Sequence, residues 1–167
     1  MSMNTISILN RRQTMKLLSL LGLGSLAVAP VTNALAASDP WKLSEAEWKK
    51  RLSQAQFDVL RKKGTERAGS SPLNSEKRKG SYNCAGCDLP LFSSEAKYES
   101  GTGWPSFHTP LQGALGTKTD FKMILPRTEH HCVRCDGHQG HVFSDGPKPS
   151  GKRYCNNGEA LTFKVAA

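Results

Sequence analysis

The amino-acid sequence predicts a mainly β domain of the α+β class, built from antiparallel strands with a helix at its N-terminal edge. One amphipathic helical pattern lies between residues 44 and 63. From Gly64 onward, Gly, Pro, Ser, Asn and Asp recur every few residues and leave only short segments between them. Short strands joined by tight turns are typical of antiparallel sheets. Because no linker interrupts the pattern, residues 37–167 are predicted to form one domain.

The helix is predicted to run from Ser44 to about Lys63. The stretch SEAE at residues 44–47 has the form of a capping box, in which a serine hydroxyl and a glutamate carboxylate each accept a hydrogen bond from a free backbone amide. One face then carries apolar side chains, and Gly64 is expected to end the helix. The residues of this face are Trp48, Leu52, Ala55 or Gln56, Val59 and Leu60.

Six short segments between the turns are predicted as strands. They are Ser81–Cys84, Phe121–Pro126, Glu129–Cys132, His141–Ser144, Arg153–Asn156 and Ala160–Val165. Their lengths favour a mostly antiparallel sheet, against which the helix packs with its apolar face.

Residues 1–36 have the layout of an export signal. A basic start without acidic residues precedes an apolar run of about 15 residues, which is shorter than the roughly 20 that a membrane span needs. An A-x-A cleavage pattern at residues 34–36 predicts a mature chain from Ala37, and a retained N-terminal anchor is the alternative. The adjacent Arg11 and Arg12 resemble a twin-arginine signal, although Thr14 and Met15 replace its usual bulkier apolar residues. A periplasmic location is therefore expected, with no membrane span after cleavage.

The charge of the chain does not indicate a nucleic-acid partner. Removing the three positive charges of the export segment lowers the net charge from +9 to +6. The remaining basic residues are scattered through patches such as EWKKR and EKRKG, without the aromatic and basic array of single-strand binders. A solvated basic surface is the simpler interpretation.

Four of the five cysteines form two C-x-x-C pairs. The pairs are Cys84 with Cys87 and Cys132 with Cys135, and 44 residues separate them. Two such turns, brought together by the fold, supply the four thiolates of a tetrahedral zinc site. Export keeps two alternatives open, because an oxidising compartment favours disulfides and a single C-x-x-C can act as a redox couple. A twin-arginine route favours zinc, since the metal can bind during folding in the reducing cytosol.

Cys155 is left over by every one of these pairings, so it is a candidate reactive thiol. Arg153 lies two residues earlier, on the same face if the segment is a strand, and its charge favours the thiolate. His138 and His141 supply imidazoles that exchange protons near neutral pH. The alternatives are an inert cysteine and histidines that bind metal or make structural hydrogen bonds.

Three other residues near these motifs have open interpretations. His130 and His131 precede the second C-x-x-C and are interpreted as surface or packing residues. In the run GWPSF at residues 103–107, the aromatics are core or loop anchors by default. Trp104 can instead form the wall of a small apolar pocket.

Three longer segments together resemble the methionine-R-sulfoxide reductases of the B type. The segments are CAGCDLPLFSSEAKYESGTGWPSF, HCVRCDGHQGHVFSDGPKPSG and RYCNNGEALTF, and the similarity extends from Leu43 to Val165. The resemblance implies two small antiparallel sheets with peripheral helices and one structural Zn²⁺ held by the four paired cysteines. It also implies peptide-bound methionine-R-sulfoxide as substrate, in a repair reaction through a cysteine sulfenic acid.

Residue roles carry over from the resemblance by position. The nucleophile corresponds to Cys155, and the other catalytic residues are His138, His141 and Asn157. Trp104 corresponds to the substrate-pocket tryptophan, and Phe107 and Arg153 are assigned with it to substrate binding. Many family members have a resolving cysteine where this chain has Thr102, so an external thiol reductant, thioredoxin-like or otherwise, is expected.

An exported reductase of oxidised proteins, acting as a monomer, is the leading hypothesis. One alternative is a zinc-binding module without activity, in which Cys155 is a buried thiol. The other is a thiol-disulfide exchange protein that uses one C-x-x-C.

Overall fold

A computed structural model describes residues 39–167, and the predicted export segment at residues 1–36 lies outside the described residues. Two α-helices are followed by nine strands in two antiparallel sheets, with three single turns of 3-10 helix between them. This confirms the predicted mainly β fold with two antiparallel sheets and peripheral helices. Over residues 39–167, no helix combines the length and the apolar character that crossing a membrane needs.

The prediction of one long helix is wrong, because two short helices occupy the segment. Helix α1 is Glu45–Arg51 and helix α2 is Gln54–Leu60. Both begin with a capping box, and Ser53 and Gln56 form the second one. A second helix therefore starts inside the segment that was predicted to be a single helix. The second helix ends at Leu60, four residues before Gly64, and Lys63 adopts the positive φ of 54° near its end.

Three strands form the smaller sheet. Strand β1 is Gly80–Cys84, β2 is Pro90–Ser93 and β9 is Leu161–Val165. Their order is β2-β1-β9, so the first and last strands of the domain lie side by side. The predicted strands at residues 81–84 and 160–165 are confirmed.

Six strands form the larger sheet, in the order β3-β4-β8-β7-β6-β5. Their bounds are Lys97–Tyr98 for β3, Ser106–Phe107 for β4, Leu115–Asp120 for β5, Arg127–Cys132 for β6, His138–Phe143 for β7 and Arg153–Asn156 for β8. Strand β8 has the predicted bounds, whereas β7 starts three residues before the predicted His141. The central position of β7 and β8 puts their side chains in the middle of the sheet.

The predicted strand Phe121–Pro126 is a loop. The strand lies just before it, at β5, and residues 121–126 connect β5 to β6. Strand β5 is the edge of the sheet and alternates half-buried with exposed positions, so its sequence LGTKTD has little apolar content. The apolar residues that suggested a strand are exposed in the loop instead.

The hydrophobic core joins the two helices to both sheets. Phe107 of β4 is 0% exposed and stacks on Phe92 of β2, with ring centroids 4.1 Å apart. The Tyr82 ring of β1 meets the Phe107 ring edge-on, with centroids 4.9 Å apart. Trp48 and Leu60 connect the helices to this cluster. Phe107 is therefore a core residue, which corrects its assignment to substrate binding.

Candidate active site and metal centre

Cys155 lies in the middle of the larger sheet, on β8. It pairs with His141 of β7 on one side and with Ser106 of β4 on the other. Directly opposite residues of antiparallel strands share a face of the sheet, with Cβ atoms about 4.5–5.5 Å apart. The register of two strand pairs therefore fixes the thiol beside an imidazole.

A pocket of about 120 Å³ opens over this thiol. Its lining includes Cys155, His141, Trp104 and Asn157. Phe143 adds apolar surface. Four of the residues predicted for catalysis or substrate binding thus meet at one cleft. The cleft accommodates one side chain and exposes it to a thiol and to an imidazole at once.

Burial raises the pKa of the Cys155 thiol. The positive charge of Arg153 and the hydroxyl of Thr102 act in the opposite direction and offset part of that rise. The expectation that Arg153 favours the thiolate is correct in sign, but burial outweighs it. Arg153 also binds Asp145 through two hydrogen bonds of 2.8 Å and lies over the Phe143 ring at 4.4 Å, so its position is fixed.

His141 is held by a carboxylate that the sequence analysis did not identify. Its Nε2 atom lies 2.7 Å from Oδ2 of Asp120, the last residue of β5. Arg127 donates a second hydrogen bond to the same oxygen at 3.0 Å. The His141 contact, with further hydrogen bonds, holds the pKa of Asp120 well below its usual value, so a negative charge is present beside the imidazole throughout the neutral range.

A bulge in β7 brings both motif histidines to the same region. His130 of β6 pairs with Gly140 of β7, whereas the next residue, His131, pairs with His138. Strand β7 therefore has one more residue than β6 at this point. The extra residue is Gln139, and the rings of His138 and His141 lie 5.3 Å apart. Without this bulge, residues three apart would point to opposite faces of the strand.

His138 lies outside the pocket despite this proximity. It is 2% exposed, and its Nδ1 atom is 3.0 Å from Oε1 of the fully buried Glu129. Lys63 binds the other oxygen of Glu129 at 2.7 Å. The structure therefore brings His141 to the Cys155 thiol and leaves His138 in a buried polar cluster behind it.

The other two histidines of this region are not at the pocket. His130 is fully buried, and its Nε2 atom lies 3.0 Å from Oδ1 of Asn156. His131 is half-buried, with Nε2 3.5 Å from Oδ1 of Asp136. A packing role describes His130, as the sequence analysis proposed for this pair.

Glu66 connects two walls of the pocket. Its backbone N–H donates to Oδ1 of Asn157 at 3.0 Å, and its carbonyl accepts from Nε1 of Trp104 at 3.2 Å. Its carboxylate accepts hydrogen bonds from the backbone of Gly158 and Glu159 at 2.6 and 3.1 Å. A loop residue with no motif of its own thus orients both the indole and the asparagine.

The four paired cysteines converge on one buried point. Their sulfur atoms all lie within 4.8 Å of one another, with Cys84 and Cys135 at 3.6 Å and Cys87 and Cys132 at 3.4 Å. These distances exceed the about 2.05 Å of a disulfide, and each cysteine is a free thiol. They suit a tetrahedral ion with metal–sulfur bonds of about 2.3 Å. The donor set is therefore that of a structural metal site.

The two C-x-x-C turns have the same local geometry. In the first, the N–H of Asp88 donates to the carbonyl of Cys84 at 2.8 Å, and in the second Asp136 donates to Cys132 at 2.9 Å. Both aspartates adopt a positive φ, of 61° and 56°, a conformation that Asp tolerates better than most residues. This turn directs both sulfurs of each pair to the same side.

Gln139 connects the metal centre to the pocket. Its side-chain amide donates to Sγ of Cys84 at 3.4 Å, while its backbone carbonyl accepts from the backbone and side-chain amides of Asn157 at 2.9 and 3.1 Å. The bulged residue of β7 therefore contacts both sites. One residue thus links a cysteine of the metal centre to the asparagine two residues after Cys155.

Comparison with known proteins agrees with this geometry. A family model described as the SelR domain matches residues 52–165. The chain is 51% identical over 124 residues to the chloroplastic peptide methionine sulfoxide reductase B1 of Arabidopsis thaliana, across 74% of this chain and 61% of that protein. It is 52% identical over 123 residues to the peptide methionine sulfoxide reductase MsrB of Methanosarcina barkeri, across 73% and 87% of the two chains.

A third relative is the peptide methionine sulfoxide reductase MsrB of Pseudomonas putida, which is 50% identical over 119 residues, across 71% of this chain and 90% of that one. The chain spans only 61% of the Arabidopsis protein and 58% of a rice protein of the same name. The SelR match covers most of the chain and includes all five cysteines, so it confirms the resemblance seen in the motifs. The chain belongs to the SelR-domain family of peptide methionine sulfoxide reductases, the MsrB family.

Proposed function

We propose that the protein reduces methionine-R-sulfoxide in peptides and proteins to methionine and so repairs oxidised proteins. The observation that carries this proposal is the pairing of Cys155 with His141 across two central strands, at the base of a pocket walled by Trp104. A thiol, a proton donor and an apolar wall are the three things this reduction needs. Membership in the MsrB family supports the same reaction.

Cys155 is the group that accepts oxygen from the sulfoxide. Its thiolate forms a bond to the sulfoxide sulfur, and the oxygen moves with one proton from that sulfur to the Cys155 sulfur. The sulfur–sulfur bond then breaks, which releases methionine and leaves Cys155 as a sulfenic acid. The sulfoxide sulfur gains two electrons and leaves as methionine, while the Cys155 sulfur loses two. The charge of Arg153 and the hydroxyl of Thr102 lower the pKa of this thiol against the effect of burial and so favour the attacking thiolate.

His141 is the proposed acid that protonates the departing oxygen. It lines the pocket, whereas His138 lies behind it against Glu129. Oδ2 of Asp120 lies 2.7 Å from Nε2 of His141 and fixes the orientation of the ring. His138 therefore acts as a buried positioning group in this proposal, and Asn157 orients the polar side of the pocket.

Trp104 selects the epimer by giving the S-methyl group an apolar face. Its indole N–H is bound to the carbonyl of Glu66, which fixes the ring plane at the pocket. With sulfur at the thiol, oxygen at the imidazole and methyl on the indole, one arrangement of the three substituents remains. Such an arrangement admits only one epimer, and the resemblance to methionine-R-sulfoxide reductases identifies it as R.

An external thiol must restore Cys155, because the other four cysteines belong to the buried cluster. Two equivalents of a thiol convert the sulfenic acid back to a thiol, releasing water and forming a disulfide. Thr102 stands where a resolving cysteine would be, and its hydroxyl lowers the pKa of the Cys155 thiol. The reductant is a thioredoxin-like protein or another thiol donor.

The metal of the four-cysteine site is proposed to be zinc. Four buried thiolates in tetrahedral reach are a closed structural donor set, for which Zn²⁺ is the common ion. Bound there, zinc supplies a cross-link between β1 and the β6–β7 turn. One zinc per chain is the expected content of the purified protein.

The protein is also proposed to be exported to the periplasm and to act as a monomer. The basic and apolar pattern of residues 1–36 supports export, with cleavage before Ala37. N-terminal sequencing of the exported protein should begin near residue 37. An N-terminus that still begins at residue 1 would contradict the cleavage.

The proposed activity is tested with both epimers of a methionine sulfoxide peptide and dithiothreitol as reductant. We expect reduction of the R epimer only, loss of turnover in Cys155→Ser and turnover in Thr102→Ser, which keeps the hydroxyl. Reduction of neither epimer would favour a zinc-binding module. Turnover that persists in Cys155→Ser would overturn the assignment of the nucleophile.

A further inference from the structure

The loop between β5 and β6 carries an exposed apolar surface. Phe121 is 75% exposed, Met123 60%, Ile124 101% and Leu125 76%. Single exposed apolar residues are common on soluble proteins, but a contiguous group marks a binding surface. These four residues lie within five consecutive positions, so they form such a group, which we call the 121–125 surface.

A groove runs between this surface and the ends of β6 and β7. Its volume is about 600 Å³, and Met123, Ile124 and Leu125 form one side while Val142 and Phe143 form the other. Arg127 and Phe143 are also walls of the pocket that contains Cys155. The groove therefore adjoins the pocket.

We propose that this groove binds an apolar side chain next to the oxidised methionine in a polypeptide substrate. The inference rests on the proposed function and names the sequence context that the site prefers. A pocket of about 120 Å³ holds the sulfoxide side chain but not the chain that carries it. An extended chain advances about 3.3 Å per residue, so the next one or two side chains must lie on the surface that adjoins the pocket.

The chemistry of the groove determines which side chains fit. Its walls are mainly aliphatic and aromatic, and the charged side chain among them, Arg127, is bound to Asp120. A charged neighbour of the sulfoxide would lose water there without gaining an opposite charge. Leucine, isoleucine or phenylalanine would instead cover exposed apolar surface on both partners.

Peptides that differ only beside the sulfoxide test this proposal on the full chain. One peptide has leucine on both sides of methionine-R-sulfoxide and the other has serine. For the wild-type protein we expect kcat/KM to be roughly tenfold higher with leucine, mainly through a lower KM, because part of a leucine side chain is buried. In Ile124→Ser/Leu125→Ser the ratio should fall to about one, and a ratio cancels any change common to both peptides.

Val165→Ser is the matched control, since Val165 is 57% exposed on β9 of the other sheet. This change removes an exposed apolar side chain of similar size from a strand that does not line the groove. We expect the wild-type ratio in this variant. Loss of the ratio in Val165→Ser as well would overturn the proposal.

Binding measured without turnover separates the groove from the reaction. Labelled peptides with unoxidised methionine are titrated into Cys155→Ser, and fluorescence anisotropy gives Kd. Roughly tenfold tighter binding of the leucine peptide, lost when Ile124→Ser and Leu125→Ser are added, supports the groove even if no peptide is reduced. Equal Kd values for the two peptides, or a wild-type dimer that dissociates in the loop variant, would overturn it.

Discussion

His141 of β7 lies directly opposite Cys155 of β8, in the centre of the six-stranded sheet. The imidazole and the thiol are therefore separated by one strand spacing rather than by a loop. A hydrogen-bonded ladder holds this distance within narrow limits, which suits a reaction in which the atoms must meet in one geometry. The bulge at Gln139 then connects the same strand to the metal centre.

Asp120→Asn should lower activity by loosening the imidazole opposite Cys155. Oδ2 of Asp120 lies 2.7 Å from Nε2 of His141, and the carboxylate stays ionised through the neutral range because its pKa is held below its usual value, chiefly by His141. A neutral amide binds the ring more weakly than a carboxylate, so we expect kcat/KM to fall about tenfold because His141 is held less firmly. Steady-state kinetics with the R-epimer peptide measure the change.

Asp58→Asn is the control for that experiment, since Asp58 is exposed on α2. Its kcat/KM should match the wild type. An Asp120→Asn protein with the kcat/KM of the wild type would argue against a role for this carboxylate in positioning His141.

Arg153→Met should reduce the reactivity of Cys155. The guanidinium lowers the pKa of this thiol against the effect of burial, so its loss raises the pKa further and reduces the thiolate present at a fixed pH. We expect alkylation of Cys155 by iodoacetamide, followed by mass spectrometry, to slow about three- to tenfold and its pH midpoint to move upward. The exposed Lys152 provides the control Lys152→Met. An unchanged midpoint in Arg153→Met would refute the electrostatic role.

Thr102→Cys should create an internal resolving thiol. The Thr102 hydroxyl lowers the pKa of the Cys155 thiol through a hydrogen bond. A sulfur at this position would therefore lie within reach of the sulfenic acid. After one turnover without reductant, we expect a disulfide between positions 102 and 155, seen as a cross-linked peptide. Thr102→Ser should give no such peptide. Absence of the cross-link in Thr102→Cys would mean that the loop holds this side chain away from the thiol during reaction.

Cys132→Ser should remove the metal and destabilise the fold. Structural zinc sites contribute on the order of 10 kcal/mol of binding free energy to folding, and loss of one ligand forfeits much of it. We expect metal content to fall from one per chain to near zero, with a large drop in Tm. Cys155→Ser should keep both the metal and the Tm. A Cys132→Ser protein with wild-type Tm would show that the cluster does not support the fold.

Local signals in the sequence predicted most of the fold but missed what depends on context. The capping box at Ser44 was identified, yet the same signal from Ser53 to Gln56 was absorbed into one long helix. Strand β5 was missed because an edge strand buries little of either face. The loop after β5 resembles a strand in sequence, because apolar content alone does not distinguish a buried strand from an exposed loop.

The site was predictable where a motif carried the chemistry. The four paired cysteines form one cluster, and Cys155 and Trp104 line one pocket, as spacing and resemblance implied. Asp120 and Glu66 were missed, because each acts through a partner far away in sequence and neither belongs to a motif. The proximity of His138 and His141 follows from a bulge, which depends on strand register and leaves no clear trace in one sequence.

The mass of the Cys155 peptide after a single turnover without reductant tests the central claim most directly. The protein is mixed with an equal amount of a methionine-R-sulfoxide peptide, quenched, digested and analysed, and bound metal is measured in parallel. The account predicts one added oxygen on Cys155 for each methionine formed, with the metal retained. A disulfide between Cys155 and a cysteine of the metal site, with metal release, or methionine formed while Cys155 stays unmodified, would contradict it.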